Sequence, residues 1–133
     1  MKNSVTVLVW VFRLLAAALM LQTLYFKFTA SEESVYIFTT LHMEPWGRIG
    51  IGVMELLASV LILYPRTTAW GALLGMGLMA GALFSHLTRL GIAVMGDGGL
   101  LFMYACVVFI ACLLLMLLYR KQPGTPLFFL LRK

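Results

Sequence analysis

The chain has 133 residues and a formal charge of +5, yet 62% of its residues are hydrophobic and only 11% are charged. That balance argues against a soluble globular domain, and four long apolar runs leave room for one four-helix membrane domain and little else. The bases are scattered at the ends of apolar runs, a pattern of membrane-orientation charges and not of a nucleic-acid surface.

Lys2 precedes an apolar run from Val5 to Phe26 that contains Arg13. A basic start and the small residues Ala16, Ala17 and Ala18 invite a signal-peptide reading. The run is too long for that, and an arginine would weaken it, so a retained first span over about 5–27 is expected. Arg13, Ala17, Met20 and Lys27 fall on one stripe of that helix. Between Phe28 and Pro45, Thr29 and Ser31 precede Glu32 and Glu33, which reads as a helix start with acids at the positive end of the dipole. Val35, Phe38 and Leu41 recur at helical spacing, which predicts a short amphipathic helix at the membrane interface. Trp46 fits an interfacial aromatic anchor.

The stretch WGRIGIGVMELLASVLIL, bracketed by Pro45 and Pro65, places an acid in the middle of oil. It predicts a second span over about 47–64, and eighteen helical residues cover roughly 27 Å, enough to cross a bilayer core. Glu55 near its centre would cost several kcal/mol unless paired, protonated or facing water, so it is a candidate functional residue. Arg48, Gly52, Glu55, Ser59 and Ile62 share one face. A third span is expected over 68–90, with Gly71 and Gly75, and Gly77 and Gly81, at spacings that permit close helix contact. Gly71, Gly75, Ala82, His86 and Arg89 make one stripe, and Gly91 ends the helix. Asp97, before Gly98 and Gly99, is the expected N-cap of a fourth span over 98–119. Cys106 and Cys112 lie six apart on that span, about 9 Å between Cα atoms, too far for a disulfide. Residues 122–133 form an apolar and basic tail, too short to span, expected at the interface. The membrane domain is expected over 1–121.

An even number of spans puts both termini on one side. That side carries Lys2, Arg66, Arg120, Lys121, Arg132 and Lys133 and no acid, so the positive-inside rule places it in the cytoplasm.

Three stretches carry a family likeness: the arginine of FRLLAAALMLQTLYFKF, the single acid of GRIGIGVMELLASVLIL, and GALLGMGLMAGALFSHLTRLG followed by GDGG. The chain resembles the DoxX-like family over nearly its whole length to Arg120. The resemblance implies an all-α fold, an antiparallel bundle of four membrane helices, in a bacterial inner membrane. Some relatives are associated with redox systems, including a thiosulfate:quinone oxidoreductase subunit, and many have no assigned activity. The positions matching the family here are Arg13, Lys27, Glu55, His86 and Asp97. This chain has no cysteine pair and no soluble partner domain, so a complete redox enzyme does not follow.

In the antiparallel arrangement Arg13 and Glu55 differ in depth by roughly 5 Å, which an arginine can cover. A structural Arg13–Glu55 ion pair fixing helix register is the leading expectation, with a proton or ligand role for Glu55 as the alternative. At the outer end stand Lys27, His42, Glu44, Arg48, His86, Arg89 and Asp97. Each has a simple account: Lys27 and Arg89 near helix C-termini, Asp97 as a cap, Arg48 snorkelling. Together, Arg48, Glu55, His86, Lys27 and Asp97 form a candidate outward pocket. Bases outnumber Glu55 there, so an anionic or carbonyl-bearing amphiphile is the expected occupant. No catalytic residue is singled out, and two histidines without a spacing motif make a thin case for a metal. The expected function is a non-catalytic membrane subunit or assembly factor of a redox, quinone-linked system. The alternative is a binder or oligomeric transporter of a small amphiphile or anion. The cofactor is not identified by the sequence, with quinone and lipid as the candidates; the expected partner is the bilayer, with a larger redox complex or a second copy as candidates and no nucleic acid.

Overall fold

In hydrocarbon a backbone must satisfy its own N–H and C=O groups, so long apolar runs become helices. The computed structural model describes residues 3–132; Lys2 and Lys133, counted above in the charge asymmetry, lie outside the described residues. The helices are α1 (Asn3–Phe28), α2 (Glu32–Thr40), α3 (Trp46–Leu63), α4 (Thr68–Ser85), α5 (Leu100–Leu118) and α6 (Pro126–Leu131). A five-residue π-helical turn, His86–Leu90, continues α4. Four helical segments are long and apolar enough to cross a membrane: Asn3–Phe28, Trp46–Leu63, Thr68–Leu90 and Leu100–Leu118. Among the described residues there is no strand.

The four long helices close into a ring. α1 packs on α3 and α5, and α4 packs on the same two from the other side. Direction alternates: Arg13 in the first half of α1 meets Ile62 at the end of α3, and Lys27 at the end of α1 meets Glu55 and Arg48 further back along α3. The core is built from small and flexible side chains. Ala16, Met20, Ala58, Ala72, Ala111 and Cys112 are all essentially inaccessible. Both cysteines are free.

Glycine sets the closest approach. A Cβ on Gly71 would stand 2.6 Å from the Ile62 backbone nitrogen and 2.9 Å from the Ala58 carbonyl oxygen. The backbones of α3 and α4 therefore touch where a side chain cannot fit. One turn on, a Cβ at Gly75 would meet Cys112 Sγ of α5 at 3.0 Å. The second pair, Gly77 and Gly81, has nothing within 4 Å and faces away from the bundle.

The short elements follow their capping chemistry. Ser31 accepts a hydrogen bond from the Ser34 N–H at 3.2 Å and starts α2, with Glu32 and Glu33 in its first turn. α5 begins at Leu100 and not at 98, because Gly98 and Gly99 hold φ of 68° and 89°. Beyond α5 the tail is pinned back. Trp70 Nε1 donates to the Gly124 carbonyl at 2.8 Å, Thr125 Oγ1 donates to the Tyr119 carbonyl at 3.0 Å, and Pro126 is buried.

The two glycine pairs should behave differently. Gly71→Ala forces backbone against backbone, and overpacking of this kind costs about 1–3 kcal/mol. Gly77→Ala should leave stability in detergent unchanged or slightly higher. Equal thermal midpoints for the two variants would contradict the α3–α4 contact.

Candidate functional site

An α-helix leaves its last carbonyls without partners, and its C-terminus carries partial negative charge. α3 ends at Leu63, with Tyr64 extended and Pro65 following. The buried Arg13 of α1 fills that vacancy. Its Nε donates to the Ile62 carbonyl at 2.9 Å and its Nη2 to the Leu63 carbonyl at 2.5 Å. Thr67 Oγ1 donates to the Leu61 carbonyl at 2.8 Å and Thr68 Oγ1 to the Ile62 carbonyl at 3.0 Å. The Arg13 guanidinium also stacks 3.8 Å from the centroid of the Trp10 ring, a cation–π contact one turn away on the same helix.

The far end repeats the device in the opposite sense. Arg48, buried in the first turn of α3, donates from Nη1 to the Lys27 carbonyl, one of the last of α1. Its Nε lies 2.9 and 3.0 Å from the two carboxylate oxygens of Glu44. Each of the two helices thus lends an arginine to the C-terminal end of the other.

Between these ends lies the buried acid. Glu55 Oε2 is 3.0 Å from Lys27 Nζ, with 4% of the Glu55 side chain and 14% of the Lys27 side chain accessible. Thr23 Oγ1 adds a long contact to the same oxygen at 3.4 Å. Ser59 Oγ donates to the Glu55 carbonyl at 2.8 Å. The expected Arg13–Glu55 pair is therefore corrected: Glu55 pairs with Lys27, and Arg13 is held by carbonyls. The reason is depth. Arg13 sits level with Ile62, seven residues and roughly 10 Å along α3 from Glu55.

His86 and Asp97 belong to a second group, in the connection between α4 and α5. Asp97 accepts from the backbone N–H groups of Val94 at 3.0 Å, Gly99 at 2.8 Å and Leu101 at 3.2 Å. The expected N-cap is corrected: Gly99 holds that position, and Asp97, three residues before the helix starts, reaches into its first turn only through Leu101. Partial burial would raise its carboxyl, but those three donors and the nearby His86 outweigh it and hold it below the usual carboxylate range. His86 is buried, hydrogen-bonded through Nδ1 to the Gly91 carbonyl at 2.9 Å and edge-on to Phe102 at 5.6 Å. Glu33 of α2 lies close enough to feel Asp97. Burial, and then the Asp97 charge, push its carboxyl up, and its Oε1 is buried without a hydrogen-bond partner.

The five residues expected to line one pocket thus divide. Lys27, Arg48 and Glu55 come together between α1 and α3, while His86 and Asp97 order the connection after α4. Glu44 joins the first group and balances it, so Lys27 and Arg48 face two acids and the anticipated excess of positive charge is cancelled. His42 and Arg89 are exposed. Among the described residues no three of His, Cys, Asp and Glu gather to hold a metal. Two surface grooves, one lined by Trp70, Leu73, Leu74, Gly77 and Leu78 and the other by Arg120, Lys121, Phe128, Leu131 and Arg132, involve none of these polar groups. Sequence reasoning passed over Thr23, Thr67 and Thr68, and read Glu33 only as an acid at a helix start. Thr23 had a signal, since it lies four residues before Lys27 on the Arg13–Met20–Lys27 stripe.

A family model described as the DoxX-like family matches residues 11–119. The matched region includes Arg13, Lys27, Arg48, Glu55, His86 and Asp97 and stops short of Arg120 and the tail. No curated protein and no solved structure matches the chain.

Breaking a buried pair leaves an uncompensated charge and costs about 3–5 kcal/mol, while removing both partners is far milder. Lys27→Met and Glu55→Gln should each destabilise the bundle strongly, and the double variant should recover much of the loss. Arg13→Leu should add to Glu55→Gln without coupling, since the sites are separate. Equilibrium unfolding in detergent reads both cycles; additive losses for Lys27 and Glu55 would rule out the pair.

Proposed function

The chain belongs to the DoxX-like family of membrane proteins, and we propose that it is a non-catalytic membrane subunit or assembly factor of a redox, quinone-linked system. The redox link rests on the family resemblance. The role as a scaffold rests on one observation: the intramembrane charges are satisfied within the chain. Lys27 meets Glu55, Arg13 meets the end of α3, and Arg48 meets Glu44 and the end of α1. Polar groups arranged this way fix helix register. A catalytic centre needs groups aimed at a reacting substrate in a cleft.

A second reading keeps the outward polar site, at Lys27, Arg48 and Glu55 with His86 and Asp97 in the neighbouring connection, as a place for a quinone or other small amphiphile. It is favoured by Lys27, whose side chain keeps 14% of its surface accessible beside Glu55. A carbonyl-bearing head group could share that ammonium while its tail lies between helices. Native mass spectrometry after gentle extraction separates the readings. The scaffold reading expects the chain with a larger protein. A lone chain retaining an amphiphile that Lys27→Met releases supports the second reading, and a bare oligomer supports transport.

We place the protein in a bacterial inner membrane with both termini cytoplasmic, because Arg66, Arg120, Lys121 and Arg132 stand at one end of the bundle and Glu32, Glu33, Glu44 and Asp97 belong to the other. In a background lacking Cys106 and Cys112, a cysteine near Glu33 should react with an impermeant thiol reagent in intact cells, and one near Arg120 should not. The reverse labelling would invert the orientation.

A further inference from the structure

Past α5 the chain turns back and lays α6 against the bundle, and the turn and the short helix line an open surface groove. Its lining is Arg120 and Lys121 from the turn and Phe128, Leu131 and Arg132 from the tail. The last three are spaced i, i+3 and i+4, one face of α6 and the residue that ends it. The groove is held in shape: Thr125 Oγ1 donates to the Tyr119 and Gln122 carbonyls at 3.0 and 2.8 Å, Trp70 Nε1 donates to the Gly124 carbonyl at 2.8 Å, and Pro126 is buried. Leu127 packs against the core.

Among the described residues no acid answers the charge of this groove. The chain's five acids are Glu32, Glu33, Glu44, Glu55 and Asp97. Asp97 stands before the start of α5 and Arg120 just beyond its end, so a full membrane thickness of roughly 28 Å lies between them. Three cations therefore face a half-buried phenylalanine and an exposed leucine, with Leu130 beside them 70% exposed. Basic groups next to an apolar face, at the end of a spanning helix, complement a molecule that is anionic at one end and apolar along its length. A soluble phosphate would use the cations and leave the apolar face unused. All five lining residues lie beyond residue 119, where the family match ends.

We propose that this groove binds an anionic phospholipid, its phosphate among Arg120, Lys121 and Arg132 and its acyl chains along Phe128 and Leu131. The site is independent of the function proposed above and of which face of the membrane it occupies.

The full chain would be reconstituted in nanodiscs of mixed phosphatidylcholine and phosphatidylglycerol, extracted gently, and weighed intact with the lipid it retains. Wild type should retain phosphatidylglycerol in preference to phosphatidylcholine. Arg132→Gln should lower that preference about fivefold, the equivalent of about 1 kcal/mol per basic group near an anionic surface. Replacing Arg120, Lys121 and Arg132 together by Gln should abolish it, and Arg132→Lys should preserve it. Arg66→Gln, at the same end but outside the groove, is the control for diffuse charge and should leave the preference intact. Equal retention of the two lipids by wild type would overturn the proposal. So would an Arg66→Gln loss as large as that of Arg132→Gln, or displacement of the lipid by excess inorganic phosphate, which would make the site one for the bare anion.

Discussion

The bundle depends on the exchange of arginines between α1 and α3. Each helix crosses the membrane and then stops, exposing carbonyls that water cannot reach in full and that no lipid tail can satisfy. Arg13 answers those of α3 at Ile62 and Leu63, and Arg48 answers the end of α1 at Lys27. Because the two contacts lie at opposite ends of an antiparallel pair, they fix both the separation of the helices and their relative height. A slip by one turn would displace both arginines at once. The Lys27–Glu55 pair, between these two ends, adds a third point at the same interface. Three fixed points leave the pair no rotation or slide that keeps its polar groups satisfied.

The other half of the ring is held by shape. α5 contributes no charged residue, and α4 only Arg89 in its terminal π-helical turn. They attach through Gly71 against α3, through Gly75 against Cys112, and through a core of alanines and methionines. In a bilayer, apolar side chains gain little by leaving lipid for each other, so close packing and the few polar contacts supply the association. The α1–α3 interface relies on charged groups, while α4 and α5 rely on close packing, with the Thr68 hydroxyl on the Ile62 carbonyl as a polar contact from α4 to α3.

How much of this could be read in advance varied with the kind of signal. Span length and apolar run gave the four helices, and the isolated acid in WGRIGIGVMELLASVLIL marked Glu55 as a residue needing a partner. Choosing the partner was harder. A sequence shows side-chain charges, and it invited a match of Arg13 with the one buried carboxylate. Carbonyl acceptors occur at every residue and become available only where a helix ends, so Arg13's true partner was visible only indirectly, through Pro65. Lys27 read as a base near a helix terminus, and nothing in spacing alone showed that its long side chain pairs with Glu55. The two glycine pairs have identical spacing, yet one sits at a helix contact and the other does not, a difference set by rotation of α4. His86 and Asp97 parted from Glu55 because the π-helical turn and the glycine-rich connection redirect them to their own backbone.

The exchange of arginines also orders events during synthesis. Arg13 emerges in the first apolar segment, but its carbonyl acceptors lie 49 and 50 residues later. Until Leu63 is made, the arginine of that segment has Trp10 beside it but lacks its carbonyl acceptors, and a charge in the membrane is costly. Arg13 therefore has its full set of partners only once α3 stands beside α1, so the first helix depends on a segment made much later for its polar satisfaction.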